Sequence, residues 1–466
     1  MATSFSQIAA IALIFLLCIG GGSTRPDVVQ LLPLRLFAIV LIAALILDRR
    51  TALRPIGVPL LFLGIVVASY LAYLVPLPPE VWQILPGRGF YAAAAEISGD
   101  PQPWRPLSLA PDMTIEALLS LLPVVAIVLL LDKGDPRLHG FLPIGIVVLA
   151  SGSVFLALLQ FAAGEAANIG FYASGTDMAG GLLANRNHQA LLLAMGMTSA
   201  SWLAARDGFL IRNDALRLLL AGGILIMFVV TIVLTGSRAG LVLIVLAMSA
   251  AFLFNRRGMA RLPIIARIVG LLGVLAALAM AAFVKLPSHR IATLQLADTR
   301  REAFWSTSFD AIRSFFPFGA GPGSFSETYK RFERLADLRP QYVNHAHNDF
   351  IEIAYELGAL GWMIAAVFSA FLVVANVRLW RLRQERMPGI ELGRLASMLI
   401  VLALVASVTD YPIRTPLIGV LFAAAATILF NIAFRKALSP STEAMPTGVA
   451  NAARRWFTGG NDVAKD

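Results

Sequence analysis

Two histidines and three carboxylates crowd the stretch VNHAHNDFIEIAYELGALGW at 343–362: His345, His347, Asp349, Glu352 and Glu356. An imidazole titrates near neutrality, so one held at a loop–helix junction is suited to take a proton from a hydroxyl. A metal site would use both histidines with Asp349 as third ligand. HAHND lacks the i, i+4 histidine pair of a helical zinc site, so base chemistry is the stronger reading. Neither a metal nor a cofactor is expected. The plain alternative for one histidine is to cap the helix start. Asp349, Glu352 and Glu356 recur at helical spacing and fall on one face. Glu356 lies two turns into an apolar segment and needs a partner, for which an arginine on the same side is the candidate.

Further charges stand at comparable junctions. Arg238 lies in TGSRAG, a turn so short that its side chain sits at or below the membrane interface. A charge at that depth is costly and points to function, or else it snorkels to headgroup phosphates. Arg301 precedes Trp305 by four residues, which puts guanidinium and indole on one helix face. The planar fork of arginine suits a phosphate, although pairing with Glu302 or Asp298 would also satisfy it. Arg300 competes for the same role. Arg186 and His188 in LLANRNHQA mark another junction, with Asn185 and Asn187 beside them. Arg414 in DYPIRTP marks a third, with Asp410 as its expected structural partner. The glycine-rich GAGPG (319–323) lacks a following Lys-Ser/Thr and reads as a tight turn rather than a phosphate cradle.

The elements that must position these groups are membrane helices. The chain has 466 residues, is 58% hydrophobic and only 14% charged. Apolar runs of about 18 residues or more, the length that crosses a ~30 Å hydrocarbon core, recur throughout. The expected fold class is an all-α integral membrane protein with about twelve transmembrane helices, at 6–21, 31–47, 56–75, 114–131, 141–163, 188–205, 217–234, 240–254, 266–284, 350–377, 394–408 and 417–434. The single Cys18 excludes a disulfide framework and a cysteine metal cage. Residues 1–7 carry no Lys or Arg, so the first run is expected to be retained as a span.

Alternate connections beginning at 48–55 and ending with the tail carry 22 Lys and Arg, against seven in the opposite short connections. The other nine lie in the long connection 285–349, which escapes the charge rule. Both termini are therefore expected in the cytoplasm, and the histidine stretch on the outer, periplasmic face. The net charge of +10 is then topology signal with anionic-lipid contact, not nucleic-acid binding.

The membrane domain covers 1–434, and the polar tail 435–466 is expected to be cytoplasmic and mobile. Residues 76–113, with Trp82, Phe90, Tyr91 and Trp104, read as a structured cap. Loop 285–349 is expected to be partly helical. Asp298 could cap a first helix showing Phe304, Ser308, Ile312 and Phe315, ended by Pro317. A second would show Phe325, Tyr329, Phe332 and Leu335.

These residues together resemble the O-antigen ligase and polysaccharide polymerase superfamily of bacterial membrane glycosyltransferases. The resemblance rests on His347-Asn348, nine residues, then Gly358-x-x-Gly361, with ANRNH (184–188), TGSRAG (235–240) and Arg301-x3-Trp305 followed by PFGAGPGSF in the same order. The family's Gly-Thr beyond that point is replaced by Trp362-Met363. The resemblance implies a glycan on undecaprenyl diphosphate as donor, and a metal-independent, inverting transfer to an acceptor hydroxyl at the periplasmic face of the inner membrane. It places His347 at the proposed catalytic histidine, and Arg238 and Arg301 near the lipid diphosphate. Arg186, His188, Arg300, His345, Asn348, Asp349, Glu356 and Arg414 are candidates for substrate binding, with Glu356 or Asp349 orienting His347.

The acceptor expected first is lipid A–core, making the protein an O-antigen ligase. A repeat-unit polymerase using a growing glycan acceptor, and a protein O-oligosaccharyltransferase, share the donor and the chemistry. A lipid-linked-glycan flippase would show inverted repeats and paired broken helices, and no repeat is visible in the sequence.

Overall fold

The computed structural model describes residues 5–25, 27–48, 56–99, 102–134, 136–163, 171–172, 180–206, 213–261, 304–335, 338, 342–381 and 388–434. Among the described residues the regular structure is helical apart from one ribbon, in which Pro76–Leu77 pairs antiparallel with Arg105–Pro106. Six helices are long and apolar enough to cross a membrane: Pro111–Lys133, Pro136–Ala163, Asp214–Leu234, Asp349–Arg381, Gly389–Ser407 and Pro416–Phe434. Four more are apolar but shorter, at Phe5–Gly20, Leu31–Leu47, Val58–Ala72 and Arg238–Phe254. This is a multi-pass helical membrane protein. The span expected at 266–284 and the tail from 435 lie outside the described residues, so the structure does not carry the count to twelve.

Large apolar side chains such as Phe155, Leu219 and Val373 face outward, as lipid contact requires. The centre of the bundle is Arg186–Ala204, which is buried along nearly its whole length. It is walled by the helices at 142–163, 214–234, 238–261 and 388–407. Its sequence explains the position. Small residues permit close approach, and a Cβ at Gly196 would strike the Phe228 ring and Ala150. Thr198 and Ser201 turn their hydroxyls back onto the carbonyls of Ala194 and Met197, which satisfies both inside the bundle.

A second, smaller core attaches the long loop to the start of Asp349–Arg381. A helix over 304–315 brings Phe315 against Tyr355 and Phe332, at ring separations of 5.5 and 5.4 Å. Phe325 packs on Tyr355 at 4.9 Å, and the Tyr355 hydroxyl meets Thr328 Oγ1 at 2.9 Å. Phe315, Phe325 and Tyr355 are fully buried, and burial of each contributes roughly 1.5–3 kcal/mol. The helix expected from Phe325 to Leu335 is shorter than its spacing suggests and covers only Phe325–Tyr329. Phe332 still reaches the core by a further turn, but Leu335 is exposed and offers no packing to hold a longer helix. Asp298 lies outside the described residues.

Between these pieces runs the strap Pro317–Gly323. The long helix Asp349–Arg381 is broken at Gly358, whose φ of 56° and ψ of −135° only glycine takes readily. The strap fills the break. Ala320 N–H and Gly321 N–H donate to the carbonyls of Tyr355 and Glu356, at 3.0 and 2.8 Å, and Ala359 N–H donates to the Pro317 carbonyl at 2.9 Å. The Tyr73 hydroxyl donates to the Phe318 and Leu357 carbonyls, and Arg88 Nη2 to that of Gly319. Two of the GAGPG amides, those of Ala320 and Gly321, are thus used to close a helix break.

Candidate active site

Asn348 starts the long helix. Its side-chain oxygen accepts from Phe350 N at 2.9 Å and Ile351 N at 3.1 Å, which caps two amides, while its Nδ2 donates to the Val408 carbonyl at 2.7 Å. The preceding His347 has φ 51°, in the left-handed region that a side chain with a Cβ enters at a cost. This reversal sends the two histidines of HAHND to different partners.

His345 faces inward. Its Nδ1 lies 2.7 Å from Glu352 Oε1 and its Nε2 3.1 Å from Thr24 Oγ1. Glu352 is fully buried and also accepts from Ala346 N at 2.9 Å, and Trp305 Nε1 donates to the Ala346 carbonyl at 3.0 Å. Arg414 lies among all three carboxylates of the helix face: 3.5 Å from Asp349, 3.3 Å from Glu352 and 3.0 Å from Glu356. Burial alone would lower the Arg414 pKa; Glu352, Glu356 and Asp349 together push it above its ordinary value. Ser407 Oγ donates to Asp349 at 2.7 Å. This half of the cluster is a charge network centred on Arg414.

His347 turns the other way, to Asp410, with Nδ1 3.2 Å from Oδ1. Asp410 is the hub of the site. It accepts from Asn185 Nδ2 at 3.0 Å and Asn187 Nδ2 at 2.6 Å, and from its neighbour Tyr411 N at 3.0 Å. His188 Nε2 stands 3.7 Å away, while His188 Nδ1 bonds Thr415 Oγ1 at 2.8 Å. Burial raises the Asp410 pKa, but the imidazoles of His188 and His347 outweigh it and hold the carboxyl well below the usual range. An ionised carboxylate only accepts, so the neutral form of His347 carries its hydrogen on Nδ1 and has its lone pair on Nε2. The His347 ring is 27% exposed, against 2% for Asp410, so the imidazole is open to the surroundings and the carboxylate behind it is not. Phe304 stacks beside it with ring centres 6.3 Å apart, and Tyr411 closes the back at 5.1 Å.

The expected pairing of Arg414 with Asp410 is not what the structure shows. Both residues follow the same helix end, but Arg414 is turned to the acidic face of the long helix and Asp410 to the histidines. Asp349 and Glu356, expected to orient His347, are the partners of Arg414; the carboxylate in contact with His347 is Asp410. It was missed as such because an arginine four residues away offered a nearer explanation. Tyr411 carried no signal of its own, yet its ring lies 4.1 Å from His345 and 5.1 Å from both His188 and His347.

Arg186 and Arg238 each open a helix, Arg186 half-buried and Arg238 exposed. Their turns are joined to the hub. Ser237 Oγ donates to Asn187 Oδ1 at 2.7 Å, and Asn187 in turn donates to Asp410. TGSRAG, ANRNH, HAHND and DYPIRT therefore converge. Arg300 and Arg301 lie outside the described residues, so their place relative to His347 is not fixed. Among the described residues, no three His, Cys, Asp or Glu side chains are arranged to hold one metal ion.

The family model for O-antigen ligase matches residues 223–366. The match begins before TGSRAG, contains His347, Asp349 and Glu356, and stops short of Asp410 and Arg414. It supports placing the chain in the O-antigen ligase-like superfamily. No curated protein matches the chain.

Proposed function

We propose that the protein is a glycosyltransferase that moves a glycan from undecaprenyl diphosphate to an acceptor hydroxyl, with lipid A–core as acceptor, at the periplasmic face of the bacterial inner membrane. The observation that carries this reading is the Asp410–His347 pair, because it leaves an oriented, partly exposed base inside the matched region. His347 Nε2 takes the proton of the acceptor hydroxyl as that oxygen attacks the anomeric carbon. The bond from that carbon to the diphosphate oxygen breaks in the same displacement, inverting the centre. Charge grows on the departing diphosphate, and Arg238 and Arg301 stabilise it. No step uses a metal ion.

The enclosing architecture is a membrane domain of about twelve spans over 1–434, with both termini in the cytoplasm and 435–466 as a cytoplasmic tail. The ligase is separated from its relatives in chemistry by deleting the gene and examining surface glycan and the lipid-linked pool. Long chains accumulating on the carrier lipid are the expected result. Single repeat units at the surface would show a polymerase instead, and unchanged glycans would remove both.

A further inference from the structure

Away from His347, the cap layer encloses a cavity of ≈ 70 Å³ between residues 82–91 and 105–111. Its lining includes Arg88 and Arg105 and no acidic residue. Arg88 is 2% exposed and donates to the carbonyls of Pro86, Leu107 and Gly319, at 2.8, 2.8 and 3.0 Å. Burial brings its pKa down to about 10, the mark of a cation enclosed without a counter-charge.

Arg105 is held ready. It lies on the ribbon opposite Leu77, and its guanidinium sits over the Trp82 ring at 5.3 Å from the centroid. Trp82 is itself fixed through Nε1, which donates to the Pro103 carbonyl at 2.9 Å. Arg105 Nε is nevertheless buried with no hydrogen-bond partner. Buried donors are almost always satisfied, and a guanidinium fork is satisfied best by an oxyanion. The cavity has room for one phosphate group.

We propose that this cavity binds a single phosphate group, presented by a phosphorylated glycan or by a lipid headgroup. The site needs neither His347 nor the transfer reaction, so it stands or falls separately from the function proposed above. The test uses the purified full-length protein in a phosphate-free detergent, with inorganic phosphate as probe and 31P line broadening as readout. Saturable broadening is expected, weakened at least tenfold by Arg105→Gln and less by Arg105→Lys, which keeps the charge and loses the fork. The double variant Arg238→Gln/Arg301→Gln retains the Arg105-dependent part. Displacement of inorganic phosphate by short-chain phosphatidylglycerol but not by glucose 6-phosphate identifies the headgroup as source; the reverse preference identifies the glycan. Absence of saturable binding, or binding in either Arg105 variant equal to wild type, overturns the proposal.

Discussion

Asp410→Asn distinguishes an orienting carboxylate from a merely buried polar group. In the native site Oδ1 serves His347 Nδ1 and Tyr411 N, and Oδ2 serves Asn185 and Asn187. Both asparagines are pinned: Asn185 Oδ1 accepts from Asn187 N at 2.8 Å, and Asn187 Oδ1 accepts from Ser237 Oγ at 2.7 Å. Their amide NH2 groups must therefore face residue 410. An asparagine there has one oxygen, which goes to those two donors, and its own NH2 is left opposite His347. The imidazole answers by accepting at Nδ1 and carrying its hydrogen on Nε2, the atom that should take the acceptor's proton.

The substitution also removes the charge that stabilises the imidazolium. Two unit charges about 4 Å apart interact by ~4 kcal/mol at an effective dielectric of 20, which corresponds to about three powers of ten in rate. General-base catalysis is worth ~10²–10⁴-fold, in the same range. Turnover by the purified protein on lipid-linked glycan is expected to fall roughly 10³-fold, with the donor KM little changed. Activity within about threefold of wild type, in a variant that melts normally, would refute the assignment of Asp410.

Arg414→Gln leaves Asp349, Glu352 and Glu356 buried around a neutral group, and a broken buried ion pair costs about 3–5 kcal/mol. A marked drop in melting temperature in detergent is expected, and an unchanged one would contradict the network. Gly358→Ala drives a Cβ into the Pro317 carbonyl and forces a glycine-only conformation, at ~1–3 kcal/mol for the backbone alone. Faster proteolysis of the 304–335 segment is expected, and wild-type resistance would show that the strap does not depend on the break. Because the folded pKa of Asp410 is depressed, its stabilisation is complete above the ordinary carboxylate value near 4 and is lost only as pH falls through the lower folded value. The melting-temperature gap between wild type and Asp410→Asn should hold from pH 8 to 5 and narrow only below about pH 4. Narrowing between pH 7 and 5 would contradict it.

What could be read from the sequence was what length and period encode. Eleven of the expected spans fall on helices, though the one at 394–408 begins six residues late and the one at 240–254 ends seven early, because lipid demands long apolar runs and little else interrupts them. The acidic face of 349–356 was legible for the same reason, since spacings of three and four can only meet on one side of a helix. The division of HAHND was not. It depends on the left-handed turn at His347, and no residue type announces that conformation in a histidine. Nor could DYPIRT reveal which of its charges faces which neighbour, because Asp410 reaches partners more than 60 positions away. Gly358 was visible as half of a Gly-x-x-Gly pair but not as a break that a strap fills.

The missing information changes the chemistry that can be assigned. Glu352 is satisfied by Arg414, His345 and a backbone amide, so an imidazolium forming beside it would gain little from a carboxylate already neutralised. Asp410 accepts from the amides of Asn185 and Asn187 and lies against the two imidazoles, so a proton arriving on His347 meets an ionised carboxylate at Nδ1. Two histidines two residues apart thus differ in what they can do because their carboxylates differ in what already holds them.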